Sequence, residues 1–351
     1  MRFEVLEPND QRWSELFAAL PQTSRDVFYS PGFATLCQET IDASHQVRCA
    51  AYSDKTGAVL LYPFVFRQTS SLVALPGTEL LADTVSLYGR GGVVGEAGSE
   101  GIAAFHLELS AYMANRQVFC SFDRMHPVIG NERLSPSSTN LRDVGGFVIV
   151  NLRPTMEDIV SSFKSSVRKG IRKAERNIVK CFVESNCDHL SDFLDIYYQT
   201  MERNAASDFY YFPKRFFELM PELIPGMFSF VYAHMGNKIV SCELVLHCGD
   251  YSHSFLGGTL SEALPLAANS MLKFEICKEM KAIGCKYFLL GGGQAPDDGI
   301  FNFKKSYAPD GIYQSLVGGT IWNMPVYEAL RNDMQIVGLP VSLNLFQFYD
   351  I

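Results

Sequence analysis

Apolar and polar positions follow strand and helix periods in two successive sets along the chain. In the first half, residues 46–52 and 58–66 have the pattern of two strands joined by a turn at 54–57. A helical spacing of apolar residues covers about 99–114, and another strand is predicted at 117–122. The first half therefore predicts a β-hairpin, a helix and a strand, in that order.

The second half repeats this order of elements. Three strands of a meander, a helix and a further strand are predicted at 227–235, 238–247, 251–257, 268–283 and 286–290. Gly284 is predicted to end the helix, because glycine readily adopts the left-handed conformation of a helix C-terminus. Two helices precede the meander in each half, and a helix followed by a strand after a meander indicates a mixed sheet. We therefore predict an α/β fold of the α+β type with two similar domains, 1–150 and 151–351. Each domain is expected to be a mixed, mostly antiparallel sheet flanked by helices.

An amphipathic helix is predicted over 155–177, at the start of the second domain. Thr155 is expected to act as its N-cap. The apolar stripe of this helix consists of Ile159, Phe163, Val167, Ile171 and Ala174. Gly170 lies in its middle, where glycine costs about 1 kcal/mol relative to alanine. This glycine indicates the close approach of another backbone.

The other face of this helix is strongly basic. Its positive residues are Lys164, Arg168, Lys169, Arg172, Lys173 and Arg176, and Glu175 is the only acid between Lys164 and Lys180. Since the whole chain has a formal net charge of −8, such a local excess of positive charge suggests an anionic partner. Two interpretations remain open. The helix is either a solvated surface helix whose arginines pair with acids, or a face that binds phosphate or an RNA backbone.

A second candidate site follows the last strand of the second half. The run 286–290 ends in three glycines, 291–293, and two lysines follow in the segment Phe301-Asn-Phe-Lys304-Lys305. Glycines allow backbone N–H groups to approach an anionic or carbonyl-bearing ligand closely. Lysines beside aromatic rings can stabilise a phosphate or a developing oxyanion. The sequence does not distinguish Lys304 from Lys305 as the inward lysine.

A third candidate site is the aromatic segment 197–213, which contains Arg203, Asn204 and Asp208. In one interpretation its rings pack in the core and Arg203 pairs with Asp208. In the other, the segment forms a wall of the substrate site, with Arg203 clamping an anion.

Together these segments resemble the FemABX family of amide-forming transferases, which are built from tandem GNAT acyltransferase folds. The resemblance covers about residues 150–325 and rests on 168–174, 197–204, 255–262, Asn269, 287–292 and 301–304. It implies an acyltransferase that moves an acyl or aminoacyl group to an amine of a nucleotide- or lipid-linked cell-envelope precursor, an amino sugar or a peptide. It also implies that Lys304, with Phe303, lies at the reaction centre and that Arg203 contacts the precursor diphosphate.

The remaining predicted substrate contacts are Arg168, Arg172, Lys173, Asn204, Tyr211, Glu262 and Gly292. Four carboxyl groups are candidate bases without a ranking among them, namely Asp297, Asp298, Glu243 and Glu262. An ester donor is already activated, so a dedicated strong base is not required.

The acyl donor stays undecided between aminoacyl-tRNA and acyl-CoA. The chain lacks the long heptad hairpin that longer family members insert between their domains and that is associated with tRNA handling. The segment 262–269 also lacks the glycine pattern with which GNAT proteins commonly hold the CoA pyrophosphate. No tightly bound cofactor and no metal are expected. His247 and His253 lie on neighbouring predicted strands without zinc-ligand spacing, and satisfied sheet histidines are the favoured interpretation.

Nine cysteines without a CxxC pair, and an N-terminus without a signal-peptide pattern, predict a protein of the reducing cytoplasm. No apolar run approaches the roughly 20 residues that span a bilayer. At most peripheral membrane contact is therefore expected, with the aromatic tail 343–349 as a candidate surface. The expected partner is a phosphate-bearing small-molecule or lipid-linked acceptor, with tRNA as a further candidate, but not DNA. The alternative function is a non-catalytic module that binds RNA or a phosphate-bearing polymer intermediate through the basic helix.

Overall fold

The computed structural model describes residues 2–69, 78, 80–293, 295, 298–337, 339 and 346–349. The chain divides into two compact units. The first comprises residues 1–144 and 315–351, and the second comprises Gly145–Gln314. The predicted domains, 1–150 and 151–351, differ from these units chiefly at the C-terminus, because residues 315–351 return to the first unit.

The helices and strands follow one another as β1 (Arg2–Leu6), α1 (Gln11–Ala19), α2 (Pro31–Glu39), β2 (Gln46–Ser53), β3 (Val59–Gln68), β4 (Ala82–Val85), β5 (Val94–Glu96), α3 (Ser99–Asn115), β6 (Val118–Arg124), β7 (Thr139–Asn151), α4 (Met156–Ser162), α5 (Ser165–Arg176), β8 (Lys180–Glu184), α6 (Leu190–Arg203), α7 (Lys214–Leu223), β9 (Phe228–Met235), β10 (Lys238–Cys248), β11 (Tyr251–Thr259), α8 (Ala268–Ala282), β12 (Tyr287–Gly291), α9 (Gly299–Lys305), β13 (Ile312–Ile321) and α10 (Met324–Ile336). The two units divide within β7 and within β13. Among the described residues, none of the helices has both the length and the hydropathy that crossing a membrane requires.

In the first unit, the strand order is β1-β2-β3-β4-β6-β13, and β5 pairs with β3. All of these pairs are antiparallel except β4 with β6, which are joined through α3. The buried face of α3 carries Phe105, Leu109 and Met113, and these side chains pack on Tyr62 and Phe64 of β3. The first unit is therefore a mostly antiparallel sheet covered by a helix.

The last described residues are anchored inside the first unit by the buried carboxylate of Asp83. It accepts hydrogen bonds from Arg67 Nε at 2.9 Å, from Gln347 Nε2 at 2.6 Å and from the Tyr349 hydroxyl at 2.6 Å. Phe348 and Tyr349 are also buried. The sequence offered the tail 343–349 as a partner or membrane surface. That interpretation is wrong for residues 347–349, which are buried, whereas Phe346 is half-buried and residues 343–345 lie outside the described part of the chain.

In the second unit, the strand order is β7-β12-β11-β10-β9-β8. All pairs are antiparallel except β11 with β12, which are joined through α8. Cys242 and Glu243 are neighbours on β10: the thiol of Cys242 lies 3.8 Å from Phe193 O on α6, while Glu243 pairs with Lys273 on α8. Because successive strand residues point to opposite faces, α6 and α8 cover opposite faces of this sheet. The predicted fold class, mixed and mostly antiparallel sheets flanked by helices, is confirmed.

The basic helix differs from its prediction in one respect. The single helix predicted over 155–177 is two helices, α4 and α5, separated by Phe163 and Lys164 in extended conformation. The break is stabilised by a tertiary contact, since Lys164 N donates to Ser306 O at 2.8 Å. Thr155 caps α4 as predicted, and its hydroxyl accepts a hydrogen bond from Asp158 N at 3.2 Å.

A neighbour does approach Gly170 closely, but it is a side chain and not the predicted backbone. A Cβ atom at this position would lie 2.6 Å from Ser270 Oγ and 3.0 Å from Ser270 Cβ, at the start of α8. The inner stripe of α5, Val167, Ile171 and Ala174, is buried on the same side of the helix. The helix is therefore packed tightly on α8, and its basic face points away from the core.

Candidate active site

The parallel strands β11 and β12 pair only over a short distance. Residues Tyr251–His253 pair with Tyr287–Leu289. Further along, Val245 pairs with Ser254 and Leu244 with Leu256, so Phe255 is an extra residue of β11 and forms a β-bulge. A bulge bends the strand that carries it, and among the described residues the two parallel strands do not pair beyond His253 and Leu289. The sheet is therefore open between the C-terminal ends of β11 and β12.

Lys304 lies at the end of β12. Its Nζ donates a hydrogen bond to Gly292 O at 2.7 Å, and the side chain is half-buried. Gly291 has a φ of +96°, and a Cβ atom there would lie 2.9 Å from Lys304 Nζ. The glycine run thus makes room for an ammonium group and offers it a carbonyl, whereas the sequence predicted a floor of N–H donors.

The other lysine of this segment has a different environment. Lys305 Nζ lies 5.8 Å from the centroid of the Phe301 ring. Phe301 is itself buried beside Gly146, where a Cβ atom would lie 2.8 Å from its ring. The geometry favours Lys304 as the lysine at the strand opening, with Phe301 as the anchor of α9.

Asp298 explains where α9 begins. Its side chain accepts hydrogen bonds from Phe301 N at 2.6 Å and from Ala295 N at 3.0 Å, which is an N-cap arrangement. Of the other candidate bases, Glu262 is exposed and pairs with Lys238 at 2.8 Å, and the hydrogen bond from Lys238 lowers the pKa of Glu262. Asp297 lies outside the described residues. Glu243 pairs with Lys273, so the three candidate bases that the structure describes are all engaged in contacts.

The predicted basic helix and the predicted lysine segment are brought together. Besides the Lys164–Ser306 hydrogen bond, the Phe163 and Tyr307 rings meet edge to face, with centroids 5.6 Å apart. The Phe303 ring also packs on Tyr307, with ring centroids 5.4 Å apart, and the Phe303 side chain is 42% exposed. Phe303 therefore presents an open aromatic surface next to Lys304, at the point where α5 begins.

The basic residues of α5 have different roles. Arg168 donates from Nη1 to the carbonyls of Ser161, at 2.8 Å, and of Phe163, so it closes the end of α4. Arg172 Nε donates to Arg168 O at 3.3 Å, and Lys173 is exposed. Within the described part of the chain, no ion pair involves a basic residue of α5. The interpretation in which these arginines pair with acids is therefore wrong.

Arg203 ends α6 and is exposed. Its Nη1 donates to Thr259 O at 2.9 Å and to Ser261 Oγ at 3.1 Å, rather than pairing with Asp208. These contacts hold the guanidinium at the C-terminal end of β11. Asn204 follows as the exposed C-cap residue of α6.

Tyr211 belongs to a different surface feature. Its ring stacks on Tyr198 with centroids 6.0 Å apart, and both line an open pocket of about 420 Å³ on α6. The other lining residues are Asp195, Gln199 and Glu202. Two carboxylates and no basic side chain line this pocket, so it does not suit a phosphate group.

The sequence did not predict the buried ion pair of the second unit. Lys273 Nζ lies 2.6 Å from Glu243 and donates to Ser254 Oγ at 2.7 Å, and both charged side chains are almost completely buried. Nearby, the Tyr307 side chain is buried, and burial raises the pKa of its hydroxyl. Lys273 stands between the apolar residues Leu272 and Ile276 of the inward helix face. A lysine in such a position is the signal that could have indicated a buried partner.

The two histidines of the meander lie on the paired strands β10 and β11. His247 pairs with Ser252 and His253 with Leu246, so they occupy successive positions that point to opposite faces. The His247 ring also lies 3.1 Å from Ser229 Oγ.

The sequence of the second unit matches a known family model. Residues 161–305 match the model described as "Acetyltransferase (GNAT) domain". No curated protein matches the chain at the level of sequence. The matched segment runs from the end of α4 to the end of α9, and so includes the basic helix, the open strand pair and Lys304.

Solved structures show the same fold over nearly the whole chain. The structure titled "Crystal structure of FemX" aligns with a TM-score of 0.71 at 14% identity and covers 94% of this chain and 100% of that one. L-PGS from Bacillus licheniformis aligns with a TM-score of 0.58 at 12% identity, covering 92% and 96%. The C-terminal domain (DUF2156) of a putative lysylphosphatidylglycerol synthetase from Agrobacterium fabrum gives a TM-score of 0.53 at 11% identity, covering 92% and 97%.

These findings define the class of protein. The family model over residues 161–305 confirms the predicted acyltransferase of GNAT type. The match to FemX confirms the predicted FemABX-like fold, since it extends over 94% of the chain. At such low identities the solved structures show the fold, and the substrate has to be argued from the site.

Proposed function

We propose that this acyltransferase forms an amide bond by transferring an acyl or aminoacyl group to an amine of a nucleotide- or lipid-linked cell-envelope precursor. The observation that carries the proposal is the position of Lys304, whose ammonium group lies at the open end of β11 and β12 against Gly292 O. The name of one similar structure, a putative lysylphosphatidylglycerol synthetase, agrees with aminoacyl transfer to a lipid-linked acceptor, because that name describes an aminoacylated lipid. The acceptor is an amino sugar or a peptide.

The reaction requires a neutral amine and an activated acyl group. The amine nitrogen attacks the carbonyl carbon, a C–N bond forms, and negative charge develops on the carbonyl oxygen. The C–O bond of an ester donor, or the C–S bond of a thioester, then breaks, and the proton lost by the amine is balanced by the proton gained by the leaving group. Lys304 donates a hydrogen bond to the oxyanion or to the leaving atom, where such a donor acts most strongly in a site that excludes water.

The proposal does not choose between aminoacyl-tRNA and acyl-CoA as the acyl donor. An amide-forming assay with two donors tests it: the protein is incubated with aminoacyl-tRNA or with acyl-CoA and a nucleotide-linked amino sugar or peptide, and the acceptor is followed by mass. We expect the acceptor to gain the mass of one acyl residue with one of the two donors. No mass gain with either donor on either kind of acceptor would contradict the proposed reaction.

Arg203 is proposed to contact the diphosphate of the acceptor. Only its Nη1 is used by Thr259 and Ser261, so the other nitrogens of the guanidinium can meet a phosphate in bidentate fashion. Because a hydrogen bond to a charged group contributes about 1.5–3 kcal/mol, Arg203→Ala should raise the acceptor KM about 10- to 100-fold with a smaller change in kcat. Initial rates over a range of acceptor concentrations measure this change.

Two comparisons make this measurement specific. Arg215→Ala removes an exposed arginine from α7 and should leave KM unchanged. An acceptor analogue without phosphate should be used equally well by wild type and by Arg203→Ala. If Arg203→Ala raises KM equally for both acceptors, Arg203 supports the end of β11 and does not bind phosphate.

A further inference from the structure

The outer face of α5 carries a basic surface to which the reaction steps argued above assign no role, although Arg172 and Lys173 were predicted as substrate contacts. Four exposed basic residues, Lys169, Arg172, Lys173 and Arg176, lie within about 100° of one another around the helix, since each residue turns it by about 100°. The buried residues Val167, Ile171 and Ala174 occupy the opposite side. Lys180, exposed at the start of β8, extends the positive charge beyond the end of the helix. We call these five basic residues, together with Ile178, the basic helix surface.

The charge of this surface is not compensated inside the molecule. In the described ranges, none of the five basic side chains forms an ion pair with an acid, although the chain as a whole carries a formal net charge of −8. Glu175 also lies on α5, but around the helix axis it is about 110° from the midpoint of the four basic residues of this helix. Like charges held this close repel one another, so the arrangement is favourable only against an anionic partner.

Ile178 adds an apolar side chain to the same surface. It is 68% exposed and has a φ of +57°. Its N–H bonds to Glu175 O at 3.0 Å, and Val179 N bonds to Ala174 O at 3.0 Å, which is the pattern of a helix end at which glycine is the usual residue. A β-branched residue in the left-handed region is an outlier that strains the backbone. Glycine would serve the fold better here, so the isoleucine side chain is explained by a contact outside this chain.

We infer that the basic helix surface docks on an anionic lipid bilayer. Cations attract the headgroups of such a surface, and an exposed aliphatic side chain among them can enter the boundary between headgroups and acyl chains. An RNA partner would favour aromatic side chains on which bases stack, and the basic helix surface contains none. This inference goes beyond the proposed reaction and does not depend on it.

Docking would also place the candidate active site close to the bilayer. The helix α5 has 12 residues and begins where Lys164 N bonds to Ser306 O, directly after α9. At 1.5 Å per residue its length is about 18 Å. Lys304 is therefore within about one helix length of the basic helix surface, a distance suited to an acceptor held at the membrane face.

Vesicle co-sedimentation of the full chain tests the inference. We expect the protein to sediment with vesicles of phosphatidylcholine mixed with phosphatidylglycerol, and not with vesicles of phosphatidylcholine alone. Binding should weaken as salt rises, because the attraction between exposed charges is screened. The double variant Arg172→Glu/Arg176→Glu should bind at least about 30-fold more weakly, since each basic residue near such a surface contributes about a fivefold change in affinity.

Two controls separate docking from unfolding and from general charge. Lys214→Glu/Arg215→Glu makes the same change of net charge on exposed residues of α7 and should bind vesicles nearly as well as wild type. Ile178→Gly should raise the thermal midpoint, because the strain is relieved, and at the same time weaken vesicle binding. The opposing shifts of stability and binding are the result that a purely structural isoleucine would not give.

Three outcomes would overturn the inference. The first is equal binding to vesicles with and without phosphatidylglycerol. The second is an equal loss of binding in the α5 and α7 double variants. The third is binding of tRNA through Arg172 and Arg176 without any binding of vesicles, which would assign the basic helix surface to RNA.

Discussion

Lys304→Ala is expected to lower the rate of acyl transfer about 100- to 1,000-fold, which is the usual effect of removing one donor to a developing oxyanion. The physical reason is the position of the ammonium group at the opening between β11 and β12, 2.7 Å from Gly292 O. An alanine leaves that position without a positive charge. The loss should appear in kcat, because the charge on the carbonyl oxygen develops in the transition state. Single-turnover rates with a preformed donor measure it without interference from product release.

Lys305→Ala is the matched control for this prediction. It removes a lysine from the next position of the same helix, where the ammonium lies 5.8 Å from the centre of the Phe301 ring. Its rate should remain within a few-fold of wild type, and both variants should keep the wild-type thermal midpoint. If Lys305→Ala loses the activity while Lys304→Ala keeps it, the two lysines exchange roles. If both variants are fully active, the reaction centre is not on α9.

The sequence predicted the elements whose signal is local. The strands of the second-unit meander and the helix that Gly284 ends are found within one or two residues of their predicted bounds, because alternation and helical periodicity depend only on neighbouring residues. The N-cap at Thr155 was predictable for the same reason. Gly170 was informative because glycine is unfavourable inside a helix unless a neighbour requires the space.

Features that depend on distant residues were not predicted. The break between α4 and α5 depends on Ser306, about 140 residues further along the chain, and the helical period continues through it. The return of residues 315–321 to the first unit depends on pairing with β6, and such long-range pairing has no local signature. The bulge at Phe255 is equally invisible in the alternating pattern.

The candidate site shows the same division. The residue types at the reaction centre and their order were apparent, since glycines, aromatics and lysines follow one another within 291–305. The choice between Lys304 and Lys305 required the direction of each side chain. Asp298 looked like a base in the sequence because an N-cap aspartate and a catalytic aspartate have the same chemistry, and only its hydrogen bonds to Phe301 and Ala295 distinguish them.

Lys273→Met is expected to destabilise the protein by about 3–5 kcal/mol, the usual effect of removing one partner of a buried ion pair. Glu243 would then remain in the interior between β10 and α8 without its lysine, and the Ser254 hydroxyl would lose the same hydrogen-bond donor. Urea denaturation followed by circular dichroism measures the change in the free energy of unfolding. Lys278→Met is the matched control, because Lys278 lies on the same helix, exposed, and pairs with Glu275 at 3.2 Å on the surface. It should change stability by less than about 1 kcal/mol.

The double variant Lys273→Met/Glu243→Leu decides why the single variant is unstable. A buried ion pair is costly to desolvate, and replacing both charges by apolar side chains of similar size is often neutral or stabilising. We therefore expect the double variant to recover most of the stability that Lys273→Met loses. The double variant could instead be as unstable as the single variant. The instability would then come from lost packing of the Lys273 aliphatic chain, whose Nζ lies 5.4 Å from the centre of the Phe288 ring, and not from the unpaired charge. Stability recovered together with a lost transfer rate would show that the charges of Glu243 and Lys273 serve the reaction in addition to the fold.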